Sequence, residues 1–322
     1  MVLLLCLAGL TACSPGVAAD PLKPPLTSVD NIQLPKEAGK PAFDLLTVDP
    51  RNGRLYVAHS SIAALEVVDV RARKLAGRVT GVAEIKAVAL TKDPNVVYAS
   101  DATGNVAIVD TAGLKVAKKL AVGGSPDAIG YDPVHDLVVV ATAAPNKVAF
   151  IDATAQSLLG TLPLPGAPEL MAVDEKTGNV YLAIHDLNAV VLIDTATRSI
   201  TKTLKGCDIK APTGVAYDGD HGLLFVANSG ALSVIDLLLA DCRGIADIGH
   251  GTDQIAVNPH THHVYTADGG SRQVSVIDTV SLKPLGVNGT GPEASALAVD
   301  PMTDMVYVMV GRAGIIAVYH DP

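Results

Sequence analysis

The stretch Val173-Asp174-Glu175-Lys176-Thr177-Gly178-Asn179-Val180-Tyr181-Leu182-Ala183 joins an acidic turn to an apolar run. Tyr181 follows the turn residue Asp174 by seven positions, and five other segments of the chain keep this offset. The other pairs are Asp49 and Tyr56, Asp132 and Val139, Asp218 and Phe225, Asn258 and Tyr265, and Asp300 and Tyr307. Copies of one pattern along a whole chain indicate a repeat architecture.

A second recurring pattern, an apolar pair followed by Asp, measures the period of the repeat. It falls at Asp69, Asp110, Asp152, Asp194, Asp236 and Asp278, so the spacings are 41, 42, 42, 42 and 42 residues. Each repeat divides into four short alternating segments joined by turns. A unit of about 42 residues with four strands is typical of one propeller blade.

The third repeat shows the predicted strands at 128–131, 137–141, 147–152 and 157–162. Six complete repeats run from about residue 43 to 291, and a seventh begins at Pro292 but ends after its third strand. Segment 28–35 resembles the fourth strands, so we predict that it completes the last blade and removes the exposed sheet edges. The sequence therefore predicts an all-β, seven-bladed β-propeller over residues 28–322. A β-solenoid or a sandwich is the alternative.

Composition agrees with thin, repeated β-layers. The 322 residues are 49% hydrophobic but only 3% aromatic, with no Trp. The 24 Lys and Arg residues stand against 33 Asp and Glu residues, a net charge of −9. This balance argues against a nucleic-acid partner, which would need a basic stripe.

The N-terminus has the features of an export signal. The apolar run 2–10 is shorter than the about 20 residues that span a bilayer, so it suits the core of a signal peptide. The sequence Leu10-Thr11-Ala12-Cys13 resembles a bacterial lipobox, in which Cys13 would carry the lipid; cleavage after Ala19 and absence of export are the alternatives. We therefore expect a signal over residues 1–19, a Pro-rich tether over 20–27, and a periplasmic or outer-membrane lipoprotein of a Gram-negative-type bacterium.

The repeats resemble a known family. The patterns Gly-x-x-Pro, Ala-Val-Asp-Pro, Val-Tyr-Val-Ala and Val-Ile-Asp-Thr are similar to the YVTN-repeat propellers of the YncE-like family. The best copies here run from Gly166 to Asp194 and from Ala211 to Asp236. The resemblance covers about residues 28–322. It implies an exported, mostly ligand-binding propeller, although some related propellers are enzymes or electron-transfer subunits.

The register of the repeat predicts which residues line the top mouth of the central channel. Strand a is innermost in a propeller blade, and its start lies five positions before the turn residue. The seven residues at this position are Asp44, Lys86, Asp127, Glu169, Thr213, Asp253 and Ser295. The ends of strand b, three positions after the Tyr position, are His59, Asp101, Thr142, Ile184, Asn228, Asp268 and Val310, and His185 follows Ile184.

These positions predict an acidic mouth with two nearby histidines. Carboxylates crowded together repel one another unless a cation, a proton or Lys86 compensates. The candidate ligand-binding residues are Asp44, Lys86, Asp127, Glu169, Asp253, His59 and His185. A divalent cation would draw on Asp127, Glu169 and Asp253, with His59 or His185 favouring a transition metal. The alternatives are an organic ligand, or carboxylates that merely cap the loops between blades.

Two further groups of residues, a histidine cluster and a pair of cysteines, are candidates for a metal site and for a disulfide. His260-Thr261-His262-His263 lies in the a–b turn of the sixth blade, on the face opposite the mouth, and we expect a solvated turn rather than a metal site. Cys207 follows a strand d at the top and Cys242 precedes one at the bottom. A strand separates these faces by roughly 20 Å, against about 5.5 Å between the Cα atoms of a disulfide. We therefore expect free thiols, unless insertion 206–210 folds far over the blade.

Catalytic motifs are absent from the sequence. There is no Gly-x-Ser-x-Gly, His-Glu-x-x-His or Cys-x-x-Cys-His. We expect a monomeric, non-enzymatic binding protein with no fixed cofactor beyond a divalent cation, held to the membrane only by a lipid. The alternatives are a protein-interaction platform in the cell envelope and a metal-assisted lactonase-like or lyase-like propeller with His59 or His185 as base.

Overall fold

The computed structural model describes residues 24–228 and 230–322, which form seven four-stranded antiparallel sheets arranged as a β-propeller. The first three blades contain β2 Leu46–Asp49, β3 Arg54–His59, β4 Ala64–Asp69 and β5 Lys74–Thr80; β6 Ile85–Leu90, β7 Val96–Asp101, β8 Asn105–Asp110 and β9 Lys115–Ala121; and β10 Ser125–Asp132, β11 Leu137–Ala143, β12 Lys147–Asp152 and β13 Ser157–Pro163. The next three contain β14 Pro168–Val173, β15 Val180–Ile184, β16 Ala189–Asp194 and β17 Ser199–Leu204; β18 Val215–Asp218, β19 Leu223–Ala227, β20 Ala231–Asp236 and β21 Asp241–Asp247; and β22 Thr252–Asn258, β23 His263–Asp268, β24 Gln273–Asp278 and β25 Pro284–Gly289. The predicted fold is confirmed.

The seventh blade joins the two ends of the chain. It consists of β26 Ala296–Asp300, β27 Met305–Val310, β28 Ile315–His320 and β1 Thr27–Gln33, and short 3-10 helices lie at Ser60–Ile62, His185–Leu187 and Gly311–Ala313. β1 pairs antiparallel with β28, from Thr27 opposite His320 to Gln33 opposite Ile315. Because the first strand supplies the missing fourth strand, the ring closes without an open edge between its ends.

The repeated aspartates open turns on one face of the ring. Each a–b turn residue accepts the backbone N–H two positions ahead: Asp49 from Arg51, Asp132 from Val134, Asp174 from Lys176, Asp218 from Asp220, Asn258 from His260 and Asp300 from Met302. The aspartates of the second pattern accept a backbone N–H from two or three positions ahead in the c–d turns, for example Asp69 from Arg71 and Asp152 from Ala155. Both patterns therefore encode turns through side-chain hydrogen bonds to the backbone.

Gly178 shows why one of these turns needs glycine. Its φ is 80°, and a Cβ there would lie 2.6 Å from Oδ1 of Asp132 in the preceding blade. The missing side chain lets the turn of blade four approach the turn of blade three.

The hydrophobic core lies between the blades. Strands b and c are buried nearly throughout, whereas an outer strand such as β9 is mostly exposed. The residues seven positions after the turn, Tyr56, Val139, Tyr181, Phe225, Tyr265 and Tyr307, are all buried. Small aliphatic residues suffice elsewhere because each blade presses both of its faces against a neighbour.

The expectation that Cys207 and Cys242 stay unpaired is wrong. They form a disulfide with a Cα–Cα distance of 5.3 Å. The insertion after β17 folds over blade five, so that the Cys207 carbonyl accepts a hydrogen bond from Ser233 Oγ (2.6 Å). The distance between the two faces was estimated for straight strands and did not include this fold of the loop.

The features predicted for the N-terminus lie mostly outside the described residues. They are the signal over residues 1–19, the lipidation candidate Cys13, and residues 20–23 of the predicted tether. Leu26 is buried, and its backbone makes two hydrogen bonds with the side chain of Asn288 (3.0 and 2.8 Å). No helix within the described ranges is long and apolar enough to cross a membrane.

Candidate functional site

The seven a strands form the innermost ring of the propeller. Each contacts the a strand of the next blade, and β26 contacts β2 to close the circle. Hydrogen bonds cross between them at the top, such as Leu45 N–H to the Lys86 carbonyl (3.0 Å) and Leu170 N–H to the Thr213 carbonyl (3.2 Å). The residues at the start of these strands therefore surround one opening, which we call the acidic mouth: Asp44, Lys86, Asp127, Glu169, Thr213, Asp253 and Ser295, all partly buried.

One ion pair lies in the acidic mouth. Lys86 Nζ donates to Asp44 Oδ2 at 2.9 Å, with the two side chains 33% and 21% exposed. Burial alone would lower the pKa of Lys86, but the hydrogen bond and charge of Asp44 outweigh it and raise that pKa. Lys86 is therefore a fixed cation that offsets one of the four carboxylates.

The other carboxylates are poorly compensated. Burial raises the pKa of Asp253 to about 7, and the negative charges of Asp44, Asp127 and Glu169 contribute to the rise. Burial is also the first cause of the raised pKa of Asp127 and of Glu169, and the charge of Asp127 adds to the latter. These mutual effects show that side chains from blades one, three, four and six share one electrostatic environment.

The carboxylates of the acidic mouth do not cap the loops. Across residues 24–228 and 230–322, the carboxylates of Asp127, Glu169 and Asp253 accept no hydrogen bond from the protein, and Asp44 accepts only from Lys86 and from the adjacent backbone N–H of Leu45. The alternative in which they accept hydrogen bonds from the d–a loops therefore finds no support. Their oxygens are available to a ligand.

The structure separates the two predicted histidines. His185 lies beside the acidic mouth, where its Nδ1 is 3.8 Å from Glu169 Oε1. His59 is only 1% exposed and bonds to Glu66 Oε1 through Nδ1 (3.1 Å), so it faces into its own blade rather than the channel. We therefore correct the prediction that His59 lies at the channel mouth. Its ring is held by Glu66, a carboxylate that is buried on the adjacent strand β4.

The other polar residues at the ends of strand b have structural roles. Asp268 is buried and accepts hydrogen bonds from Gly249 N–H, Thr252 Oγ1 and Ser275 Oγ. Asp101 accepts from Thr103, and Asn228 bonds to Ser233 and Lys210. This row ties loops to blades and leaves the channel to the row at the start of strand a.

Gln254 is a residue of the channel that the sequence interpretation missed. Its Oε1 accepts from the N–H groups of Leu46 (3.1 Å) and Leu297 (3.2 Å), and its Nε2 donates to the Leu46 carbonyl (2.9 Å). It thereby ties blade six to blades seven and one just beyond Asp253. A signal was present, because the other six blades have Leu, Ala or Gly at this position: Leu45, Ala87, Ala128, Leu170, Gly214 and Ala296.

The histidine turn of blade six does not converge on one point. His260 bonds to Asp304 (2.9 Å), His263 bonds to Asp321 (2.6 Å), and the ring of His262 lies 5.2 Å from that of His221 in the neighbouring blade. In the part of the chain that the structure describes, no three His, Cys, Asp or Glu side chains are close enough together to hold a metal ion. The carboxylates of the acidic mouth are thus spread around the opening.

Comparisons with known proteins support the fold and no finer grouping. No family model matches the chain, and no curated protein matches its sequence. A solved structure of hydrazine synthase from Kuenenia stuttgartiensis is similar, with a TM-score of 0.78 and 17% identity over 88% of this chain and 98% of that chain. At this identity the likeness shows a shared propeller fold alone, and membership of the YVTN-repeat family stays a prediction.

Proposed function

We propose that this protein is an exported, non-enzymatic binding protein that holds a small organic cation over the acidic mouth. The observation that supports it is the group of Asp127, Glu169 and Asp253, whose carboxylates find no hydrogen-bond donor within the described residues. A ligand that brings positive charge relieves their repulsion and replaces the missing donors.

The spacing of the carboxylates favours an organic cation over one metal ion. They belong to four different blades, and no three of the described side chains converge closely enough for a metal. A ligand with two or more ammonium groups can reach several of them at once, and each ammonium supplies three donors. Polyamines are therefore the appropriate probes.

Isothermal titration of the purified protein with spermidine, putrescine, Ca²⁺ and Mg²⁺ tests the proposal. We expect spermidine to bind more tightly than putrescine, and both to bind more tightly than the metal ions. The double variant Asp127→Asn/Glu169→Gln should lower spermidine affinity at least about tenfold, the equivalent of ~1.4 kcal/mol. A result in which no cation releases or absorbs heat, or in which the double variant binds as before, would contradict the proposal.

A charge-matched control separates the site from the net charge of the protein. Asp220→Asn/Glu175→Gln removes two exposed carboxylates from the a–b turns on the opposite face. This variant should keep the affinity of the unmodified protein, because exposed charges farther away than a Debye length of about 8 Å are screened at physiological ionic strength. Equal losses in the two double variants would indicate nonspecific attraction.

A further inference from the structure

A second arrangement of buried polar groups lies outside the acidic mouth. Glu66 is fully buried in β4, and Arg78 donates to both of its oxygens (3.1 Å from Nε to each, 2.7 Å from Nη2 to Oε1). Burial alone would raise the pKa of Glu66, but the hydrogen bonds of His59 and Arg78 outweigh it and lower that pKa. Glu66 is therefore an anion, and His59 Nδ1 donates to it.

The other ring nitrogen of His59 lacks a partner. With Nδ1 fixed on Glu66, Nε2 lies on the opposite edge of the ring, is closed to solvent and bonds to no group among the described residues. Phe43 stacks on the same ring with centroids 4.0 Å apart. A buried polar atom without a hydrogen bond costs about 1–3 kcal/mol, so this nitrogen indicates a site for another molecule.

His59 lines a cavity of about 210 Å³ beside the closure of the ring. Its walls are the segment 34–43 between β1 and β2, which we call the closing strap, and the loop Arg312–Gly314 of blade seven. The strap contributes Leu34, Pro35, Pro41 and Phe43 as apolar walls. A cavity of roughly 150 Å³ holds benzene, so this one suits a single ring with a small substituent.

The charges around the cavity favour an anion. Arg78 is shared between Glu66 and Glu37 (2.7 Å to each), and Glu293 is shared between Arg312 (3.2 Å) and Lys40 (3.1 Å). Lys36 lines the cavity as an exposed side chain and has no ion-pair partner in the described ranges. The surroundings of the cavity therefore hold one more cation than carboxylates, in contrast to the acidic mouth: the cations are Lys36, Lys40, Arg78 and Arg312, and the carboxylates are Glu37, Glu66 and Glu293.

We propose that this cavity binds a small aromatic carboxylate. Its ring lies among the apolar residues of the closing strap, and its carboxylate accepts a hydrogen bond from Nε2–H of protonated His59. The ionised Glu66 on Nδ1 stabilises the imidazolium, as buried carboxylates do for histidine elsewhere. Because Nε2 is closed to solvent in the free protein, the strap shifts to admit the carboxylate, and its apolar residues then pack on the ring.

Three probes that share a phenyl ring separate charge from shape: benzoate, its neutral isostere benzamide, and cationic benzylamine. Titration of the full protein with ¹⁵N-labelled histidine should show benzoate binding at least about tenfold more tightly than benzamide, and benzylamine should not perturb His59. Equal affinity for benzoate and benzamide, or unchanged His59 signals with saturating benzoate, would overturn the proposal.

Variants place the ligand in the cavity. His59→Gln should lower benzoate affinity at least about tenfold. If that variant fails to fold, the exposed rim variant Lys36→Gln still tests the site, with an expected loss of about threefold. Asp127→Asn/Glu169→Gln in the acidic mouth should leave benzoate binding unchanged. A loss in that variant, or none in Lys36→Gln and His59→Gln, would contradict the assignment.

Discussion

Asp132 and Asp253 occupy opposite ends of strand a in two blades, and their surroundings differ. Asp132, at the end of β10, is fully buried and accepts hydrogen bonds from two backbone N–H groups, from Thr195 Oγ1 (2.6 Å) and from the His135 ring (2.8 Å). Asp253, near the start of β22, accepts none from the described residues and has a pKa raised to about 7. The carboxylates of the turns complete the fold, whereas those of the acidic mouth oppose one another.

The difference teaches how one repeat separates structure from function. At the turns, the same geometry recurs in six blades, so the Asp or Asn there always accepts the backbone N–H two positions ahead. At the acidic mouth, the identity of the residue changes from blade to blade, and the carboxylates of Asp127, Glu169 and Asp253 accept no hydrogen bond from the described residues. Residues that vary at a fixed position of a repeat are therefore the better indicators of a binding site.

The largest change in stability is expected for Asp132→Ala. The substitution leaves four donors without an acceptor in a buried position and removes the hydrogen bond between blades three and four, so stability should fall by about 3–5 kcal/mol. Urea denaturation followed by circular dichroism measures this loss. A loss below about 1 kcal/mol would show that the turn carboxylates are dispensable.

In contrast to Asp132→Ala, Asp253→Asn is expected to increase the stability of the protein. The folded pKa of Asp253 is raised from 3.8 to about 7, so the protein loses stability as the pH rises from about 4 to about 7. Removing the ionisable group should stabilise the protein by up to about 4 kcal/mol at pH 8 and by little at pH 4. Denaturation at both pH values measures the difference, and the exposed Asp220→Asn serves as the control. A destabilised Asp253→Asn at pH 8 would mean that this carboxylate has a structural partner.

Asp218→Asn should show the reverse dependence on pH. Burial raises the pKa of Asp218, but the hydrogen bonds of His221 and of the Asp220 and His221 amides outweigh it and lower that pKa. Its stabilising contribution is present above the unfolded pKa of 3.8 and is lost as the pH falls through the lower folded value. We expect Asp218→Asn to cost about 1 kcal/mol at pH 7 and less at pH 3. A loss of stability that grows as the pH falls would contradict the contrast between Asp218 and Asp253.

The smallest effect is expected for Lys86→Met, on the affinity for spermidine. Its charge lowers the pKa of Asp253 and pairs with Asp44. Lys86→Met should raise spermidine affinity about threefold, because one competing cation leaves the acidic mouth. Calorimetric titration measures the change, and Lys92→Met on the opposite face is the matched control. Weaker binding by Lys86→Met would place the ligand against Lys86 rather than against the carboxylates.

The sequence predicted the fold well because turns and strands depend on local patterns. The Asp at each turn and the apolar residue seven positions later recur, and the closure by segment 28–35 followed from the missing fourth strand. The seven positions of the acidic mouth also followed from this register. Their shared electrostatics did not, because it depends on the burial of each side chain.

Three features depended on contacts that a linear register does not contain. The insertion after β17 folds back and pairs Cys207 with Cys242. His59 turns to Glu66, a buried carboxylate at a position where the other blades have Ala, Val or Ser. Gln254 reaches two blades at once. The last two were signalled by residues that differ in type from those at the same position of the other blades, whereas the disulfide required the path of a loop.

The pKa of Asp253 tests the central claim most directly. Titration of the carboxyl ¹³C signals by NMR, assigned with Asp253→Asn, should give a pKa of about 7 in the free protein. The same titration with saturating spermidine should give a lower value, because a bound cation favours the ionised form. A pKa near the ordinary value of about 4, unchanged by spermidine, would show that the carboxylates of the acidic mouth do not oppose one another and would contradict the account.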